Sequence, residues 1–179
     1  MTVDAHEVAD WILNEAEKQG IPITHMKLQK LLYYAQAYFL GMTGKPLFHN
    51  SISAWKHGPV VPDVYHSFNK FGKSVIHCSE TVEAPDKFKS FICSLIRDKG
   101  SLSAHALRNM THNDNAWRNA RLNHASHEIS CNMIADEYSP LFWASDEEDN
   151  LQKTSISNED DFSTYSFNQD EINAILASR

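Results

Sequence analysis

The sequence predicts a mainly α protein, a compact bundle of about six helices with at most two short strands, followed by an acidic C-terminal extension. Three observations carry that expectation. Apolar residues recur at helical spacing in several stretches bounded by Gly or Pro. The helical pattern fails between Lys45 and Pro59, and acids accumulate beyond Pro140. At 179 residues the chain has enough length for one core rather than two, so residues 1–140 are read as one domain and 141–179 as a tail.

The elements follow in order. Asp4 with Glu7 three residues on forms a capping pattern, Val8, Trp11, Ile12 and Ala16 share a face, and Gly20 closes a helix over residues 4–19. Ile21-Pro22-Ile23 is an extended connector. Thr24 then caps a second helix, whose Leu28, Leu31, Leu32, Ala35, Tyr38 and Phe39 make a face wide enough to predict a central, buried helix up to Gly41 or Gly44. Ile52, Ala54 and Trp55 suit a short extended segment ended by Gly58-Pro59. Pro62 opens a helix carrying Val64, Tyr65 and Phe68 up to Gly72, and Val75 to Val82 reads as a short strand or a loop. Phe88, Phe91, Ile92, Leu95 and Ile96 define an amphipathic helix begun by Pro85 and stopped by Gly100. Ser101 or Ser103 caps a short helix through Met110, and a last helix runs from about Ser126 to Tyr138, ended by Pro140.

Composition excludes several classes of function. Even the most apolar stretch, Leu31 to Met42, is shorter than the roughly 18 to 20 residues a membrane span needs, and the acidic, amphipathic N-terminus does not read as a secretory signal. Three Cys without a Cys-x-x-Cys pair fit free thiols in a reducing cytoplasm. The net charge of −7 resides in the tail, where nine acids face Lys153 and Arg179, so the body is neutral. A neutral body lacks the basic surplus that phosphate backbones demand, and nucleic acid is not an expected partner.

The sequence carries no nucleophile elbow, phosphate loop, dinucleotide fingerprint or His-Glu-x-x-His helix. Gly72-Lys73-Ser74 resembles the end of a phosphate loop, but Ser67 stands where its first Gly belongs. His124, His127 and Cys131 have a spacing that can converge on one helical face, with His112 as a conceivable fourth metal ligand, but surface histidines and a core-facing Cys on the last helix are the preferred reading, and no metal or other cofactor is expected. Asp114 is placed to orient His112 for base chemistry, although a loop and cap segment accounts for both. Aromatic and basic residues interleave at Trp55-Lys56-His57 and from Tyr65 to Lys73, a pattern shared by core edges, protein-binding patches and single-strand binders.

Several ordered blocks resemble one known family. Lys27-Leu28-Gln29-Lys30-Leu31-Leu32-Tyr33-Tyr34-Ala35-Gln36-Ala37 is followed by Gly44-Lys45-Pro46-Leu47-Phe48, then by Ala54-Trp55-Lys56-His57-Gly58-Pro59-Val60-Val61-Pro62, and later by Thr111-His112 and Trp117. Over about residues 4–140 this is similar to the Panacea or SocA-like antitoxin domain. The resemblance implies a compact helical domain of bacteria and their phages that acts as a type II antitoxin, neutralising a protein toxin by direct binding; some members are similar to adaptors that deliver a partner to a protease machine. Within the motif, Lys27 and Lys30 are expected on the polar side of the second helix while the leucines point inward. The Gly58-Pro59 corner is expected to hold Trp55 and His57 in a defined orientation. Trp55, Lys56, His57, Tyr65, Phe68 and Phe71 are therefore the candidate partner-binding residues, with plain core packing as the alternative for Trp55, Tyr65 and Phe68. The rival to a non-enzymatic binding module is an effector with an enzymatic or nucleotide-binding activity built on His57, His112 and Asp114.

The tail is expected to be a mobile acidic arm whose end, Asn168 to Ser178, becomes helical against a partner or packs loosely on the body, because Ile172, Ile175 and Leu176 make a stripe too short for a free helix. The alternative is that Phe142, Trp143, Phe162 and Phe167 pin it to the body as an ordered extension. Limited proteolysis is expected to trim the chain to a stable fragment ending near Pro140; hydrogen-exchange protection through residues 162–176 in the free protein would rule the arm out.

Overall fold

The computed structural model describes residues 2–77, 81–123 and 125–143; the tail helix expected at Asn168 to Ser178, Cys78 and His124 lie outside the described residues. Among the described residues, seven helices surround one core: α1 (Ala5–Lys18), α2 (His25–Thr43), α3 (Pro62–Phe68), α4 (Asp86–Lys99), α5 (Ala104–Thr111), α6 (Asn115–Leu122) and α7 (Cys131–Trp143). Strands β1 (Ile52–Trp55), β2 (Gly58–Val60) and β3 (Glu128–Ile129) form an antiparallel sheet in the order β2-β1-β3. The expected mainly helical bundle is present; the Gly58-Pro59 corner expected to end the first strand itself opens β2, β3 is additional, and the described residues of Val75 to Val82 form no strand beyond an isolated bridge of Val75 with Thr24.

Local chemistry accounts for most boundaries. The Asp4 side chain accepts the His6 N–H and the Glu7 carboxylate accepts the Asp4 N–H, completing the capping box of α1. Ser103 caps α5 by accepting the Ala106 N–H. Pro62 occupies the first turn of α3, which passes into a 3-10 turn at Asn69–Phe71.

The centre of the molecule is α2, buried along nearly all of its 19 residues. Trp11 of α1, Phe39 of α2 and Phe88 and Phe91 of α4 pack as one aromatic layer, with Trp11 and Phe39 each meeting Phe88. On another side Tyr33, Tyr34 and Tyr38 run down α2 against Tyr138 and Phe142 of α7. Gly41 permits this approach, since a Cβ there would stand 2.9 Å from the Phe142 ring.

Two expectations about helices are corrected here. The last helix does not stop before Pro140: it runs on to Trp143 with Pro140 inside it, held by the packing of Leu141 and Phe142 on the core cluster. Residues 126–130 are not its first turns but the approach to β3, whose Ile129 pairs with Ile52. His127 therefore precedes the strand while Cys131 opens α7, and the helical face proposed for a metal triad does not exist.

A third correction concerns the motif lysines. Lys27 and Lys30 do not face solvent: they are 7% and 1% exposed. A helix buried on all sides has no polar side, so its polar residues turn into the protein and bind loop backbone. Lys27 donates to the carbonyls of Gly100 and Pro22, Gln29 accepts the Val61 N–H at 2.9 Å, and Lys30 donates to the Pro59 carbonyl at 2.6 Å. Gln36 accepts the N–H groups of Leu47 and Phe48 and donates to the Phe48 carbonyl, which clamps the Pro46-Leu47-Phe48 turn.

Replacing Gln36 by Leu leaves those three buried backbone groups without their partner, and each such group costs about 1–3 kcal/mol. Urea denaturation is expected to show Gln36→Leu destabilised by at least about 2 kcal/mol. Gln19→Ala, at an exposed position, is expected to leave the midpoint unchanged.

Candidate functional site

The separate sequence blocks meet at one end of the β1–β2 hairpin. Trp55 pairs with Gly58 across the turn, and Lys56 and His57 are its two exposed central residues. Neither has a positive φ; the reversal is absorbed at Gly58, at φ 98°. A Cβ on Gly58 would also stand 2.9 Å from Lys30 Nζ and from Thr111 Oγ1, so this position needs glycine for two reasons. The hairpin is thus seated directly on α2 and α5.

Its flanks are aromatic. On one side Trp55 meets Tyr65 of α3 with ring centroids 4.7 Å apart, and Tyr65 meets His25 of α2 at 4.5 Å. On the other, the Trp117 indole of α6 donates to the Trp55 carbonyl at 3.1 Å and stacks on His112, with centroids 4.0 Å apart and planes 8° apart. The Thr-His-x-x-x-x-Trp block is therefore a brace between the end of α5, α6 and the hairpin.

Of the six predicted partner-binding residues, the structure brings Trp55, Lys56, His57 and Tyr65 together. Lys56 and His57 are exposed, while Trp55 and Tyr65 are half-buried. Phe68 and Phe71 stack on each other further along and pack against the core cluster, so part of their surface is structural.

Beneath the hairpin lies a polar cluster of which the sequence singled out His57 and His112 but not Lys30 or Arg108. Burial, followed by the nearby Arg108 charge, pulls the Lys30 ammonium down to about 7 from an ordinary 10.5. Burial likewise lowers His112, with further contributions from the charges of Arg108, Lys30 and His57. Burial lowers His25 as well. The Asp114 carboxylate is turned elsewhere: it accepts the Tyr138 hydroxyl at 2.5 Å in the interior. Burial first, and then neighbouring charges and hydroxyls, hold the Tyr33 and Tyr138 hydroxyls well above their usual range. The rival His112–Asp114 pair is not formed, since the imidazole is stacked on Trp117 while the carboxylate belongs to the tyrosines; as the loop-and-cap reading expects, Asp114 stands at the N-cap of α6, although its side chain makes no capping bond.

One Asp–His–Ser chain also went unnoticed in the sequence. His6 Nδ1 lies 2.7 Å from Asp4 and His6 Nε2 lies 2.9 Å from Ser67 Oγ. Ser67 donates its hydroxyl to the Asp63 carbonyl of its own helix, and Asp4 caps α1. In this arrangement the imidazole ties the start of α1 to the end of α3 through Asp4 and Ser67.

These blocks converge in one mainly helical domain, and comparison with known proteins identifies its family: the chain belongs to the family described as Antitoxin SocA-like, Panacea domain, whose model matches residues 28–118. Among curated relatives, Antitoxin SocA of Caulobacter vibrioides (strain NA1000 / CB15N) is 45% identical over 75 residues, covering 42% of this chain and 40% of that protein. The chain thus matches less than half the length of that relative. No solved structure matches it. The matched segment contains α2 from Leu28 onward, the hairpin and the Thr111-His112-Trp117 brace.

Lys30 yields a pH prediction. Its folded pKa is below its unfolded value, so between pH 7 and 10.5 the unfolded chain binds more protons, and the stability contributed at Lys30 rises with pH across that window. Below pH 7 the cost of burying the charge is present in full. Lys30→Met is expected to remove a slope of up to about 1.4 kcal/mol per pH unit between pH 7 and 10, measured by denaturant titration at each pH.

Proposed function

We propose that this chain is a type II antitoxin that neutralises a cognate protein toxin in the bacterial cytoplasm by direct binding, without chemistry of its own. The single observation that carries the reading is the position of the family match: it spans the blocks that build and brace the hairpin, while the described residues of its turn, Lys56 and His57, remain exposed. Trp55, Lys56, His57 and Tyr65 are the primary toxin-facing residues, with the outer edges of Phe68 and Phe71 continuing the surface. A braced hairpin suits recognition because its residues lose little conformational freedom on binding. Half-buried Trp and Tyr beside exposed basic residues match the composition of interface anchors. No helix among the described residues is long and apolar enough to cross a membrane.

Co-expression with the protein encoded beside this gene tests the proposal. The chain is expected to rescue growth and to co-purify with that protein; failure of both overturns the reading. His57→Ala and Lys56→Ala are expected to weaken the complex by about tenfold or more with an unchanged melting temperature. Trp55→Ala is expected to weaken it further while also lowering the melting temperature, because the substitution removes the ring that packs on Tyr65. Loss of binding that merely tracks loss of fold across all three variants would assign these residues to the core instead.

A further inference from the structure

The cluster under the hairpin is rich in cationic groups and holds no anion. Lys30 lies on α2, Arg108 on α5 and His112 directly after α5; a Cβ on Gly58 would stand 2.9 Å from both Lys30 Nζ and the Oγ1 of Thr111, the residue before His112, and the charges of Arg108, Lys30 and His57 all act on the His112 ring. No Asp or Glu among the described residues forms an ion pair or hydrogen bond with Lys30, Arg108 or His112. Arg108 Nε and His112 Nε2 are buried N–H or ring nitrogens with no hydrogen-bond partner. Buried polar groups are ordinarily paired, and unpaired ones beside a concentration of like charge mark a place where something is missing. Asp114, the carboxylate nearest in sequence, is taken by Tyr138.

We infer that the Lys30–Arg108–His112 cluster is a binding site for a phosphate group. Arg108 and His112 are each half-buried and His57 is exposed, so the cluster lies just beneath the surface. A phosphate group carries close to two negative charges at neutral pH and three acceptor oxygens, enough for the Arg108 fork, the His112 ring nitrogen and the Lys30 ammonium together. A carboxylate brings one charge and two oxygens and leaves part of the cluster unpaired. The ligand also has a structural consequence, since Lys30 holds the Pro59 carbonyl and His112 stacks on Trp117: occupancy tightens both supports of the hairpin. The free ion and the phosphate of a nucleotide share this chemistry, and the second would lay its base near the Trp55–Tyr65 or His112–Trp117 rings.

The test uses the free full-length chain and is independent of toxin neutralisation, so failure here leaves the antitoxin reading standing and failure of that reading leaves this one. At constant ionic strength, inorganic phosphate, AMP, acetate and chloride are titrated separately, reading tryptophan fluorescence and the 15N shift of the His112 imidazole. Phosphate is expected to give a saturable change at least about tenfold tighter than acetate or chloride, weakened about tenfold or more by Arg108→Gln and unaffected by Arg97→Gln on α4. AMP binding about tenfold tighter than phosphate identifies a nucleotide as the source; equal binding identifies the free ion. Equal responses to all four anions, meaning that ordered water alone fills the site, or a phosphate response that survives Arg108→Gln, would overturn the inference. If Arg108→Gln does not fold, the His112 shift in the unmodified chain decides: movement with acetate and chloride equal to that with phosphate overturns the proposal.

Discussion

Everything in this protein depends on one helix that has no surface. Because α2 is buried along nearly its entire length, its polar side chains find their partners within the protein, and for Lys27, Gln29, Lys30 and Gln36 loop backbone provides them. Lys27 ties down the end of α4 at Gly100, Gln29 and Lys30 hold the second strand of the hairpin at Val61 and Pro59, and Gln36 clamps the turn at Leu47 and Phe48. The helix is thus both the hydrophobic centre and the template on which irregular backbone is arranged. A family motif that reads as alternating lysines and leucines is a set of instructions for where the loops go.

That arrangement explains how a small sheet can present a rigid surface. Two- to four-residue strands are weak by themselves. Here the hairpin is supported from below by Lys30 and Thr111 packing against Gly58, and from one side by the Trp117 indole bond to the Trp55 carbonyl. The exposed turn is consequently defined by contacts far away in sequence. Burying Lys30 costs free energy, visible in its lowered pKa, and the carbonyl it holds is the one that follows the turn. Expense of this kind at a solvent-facing corner is better explained by positioning than by stability.

The helical scaffold and the recognition surface also divide the chain's chemistry. The tyrosines of α2 and α7, with Asp114 between them, form a buried polar network that joins the two most closely packed helices. The cationic groups gather at the other margin, under the hairpin. A chain whose described body is neutral in sequence therefore has local electrostatic character, produced by which residues the fold brings together.

The sequence by itself determined the helical class, the starts of α1 and α5, and the centrality of α2, because capping, periodicity and the width of an apolar face are local properties. It also marked the Gly58-Pro59 corner and the aromatic residues around it. Tertiary structure alone decided that Lys27 and Lys30 point inward, since periodicity assigns charged residues to the outer face and cannot foresee a helix enclosed on every side. The same holds for α7 running through Pro140, where packing of Phe142 against Gly41 outweighs a lost backbone hydrogen bond. It holds again for His112, whose sequence neighbour Asp114 turns to Tyr138 while its own ring lies on Trp117. In each case the deciding partner is distant along the chain, and its approach depends on how the whole core closes.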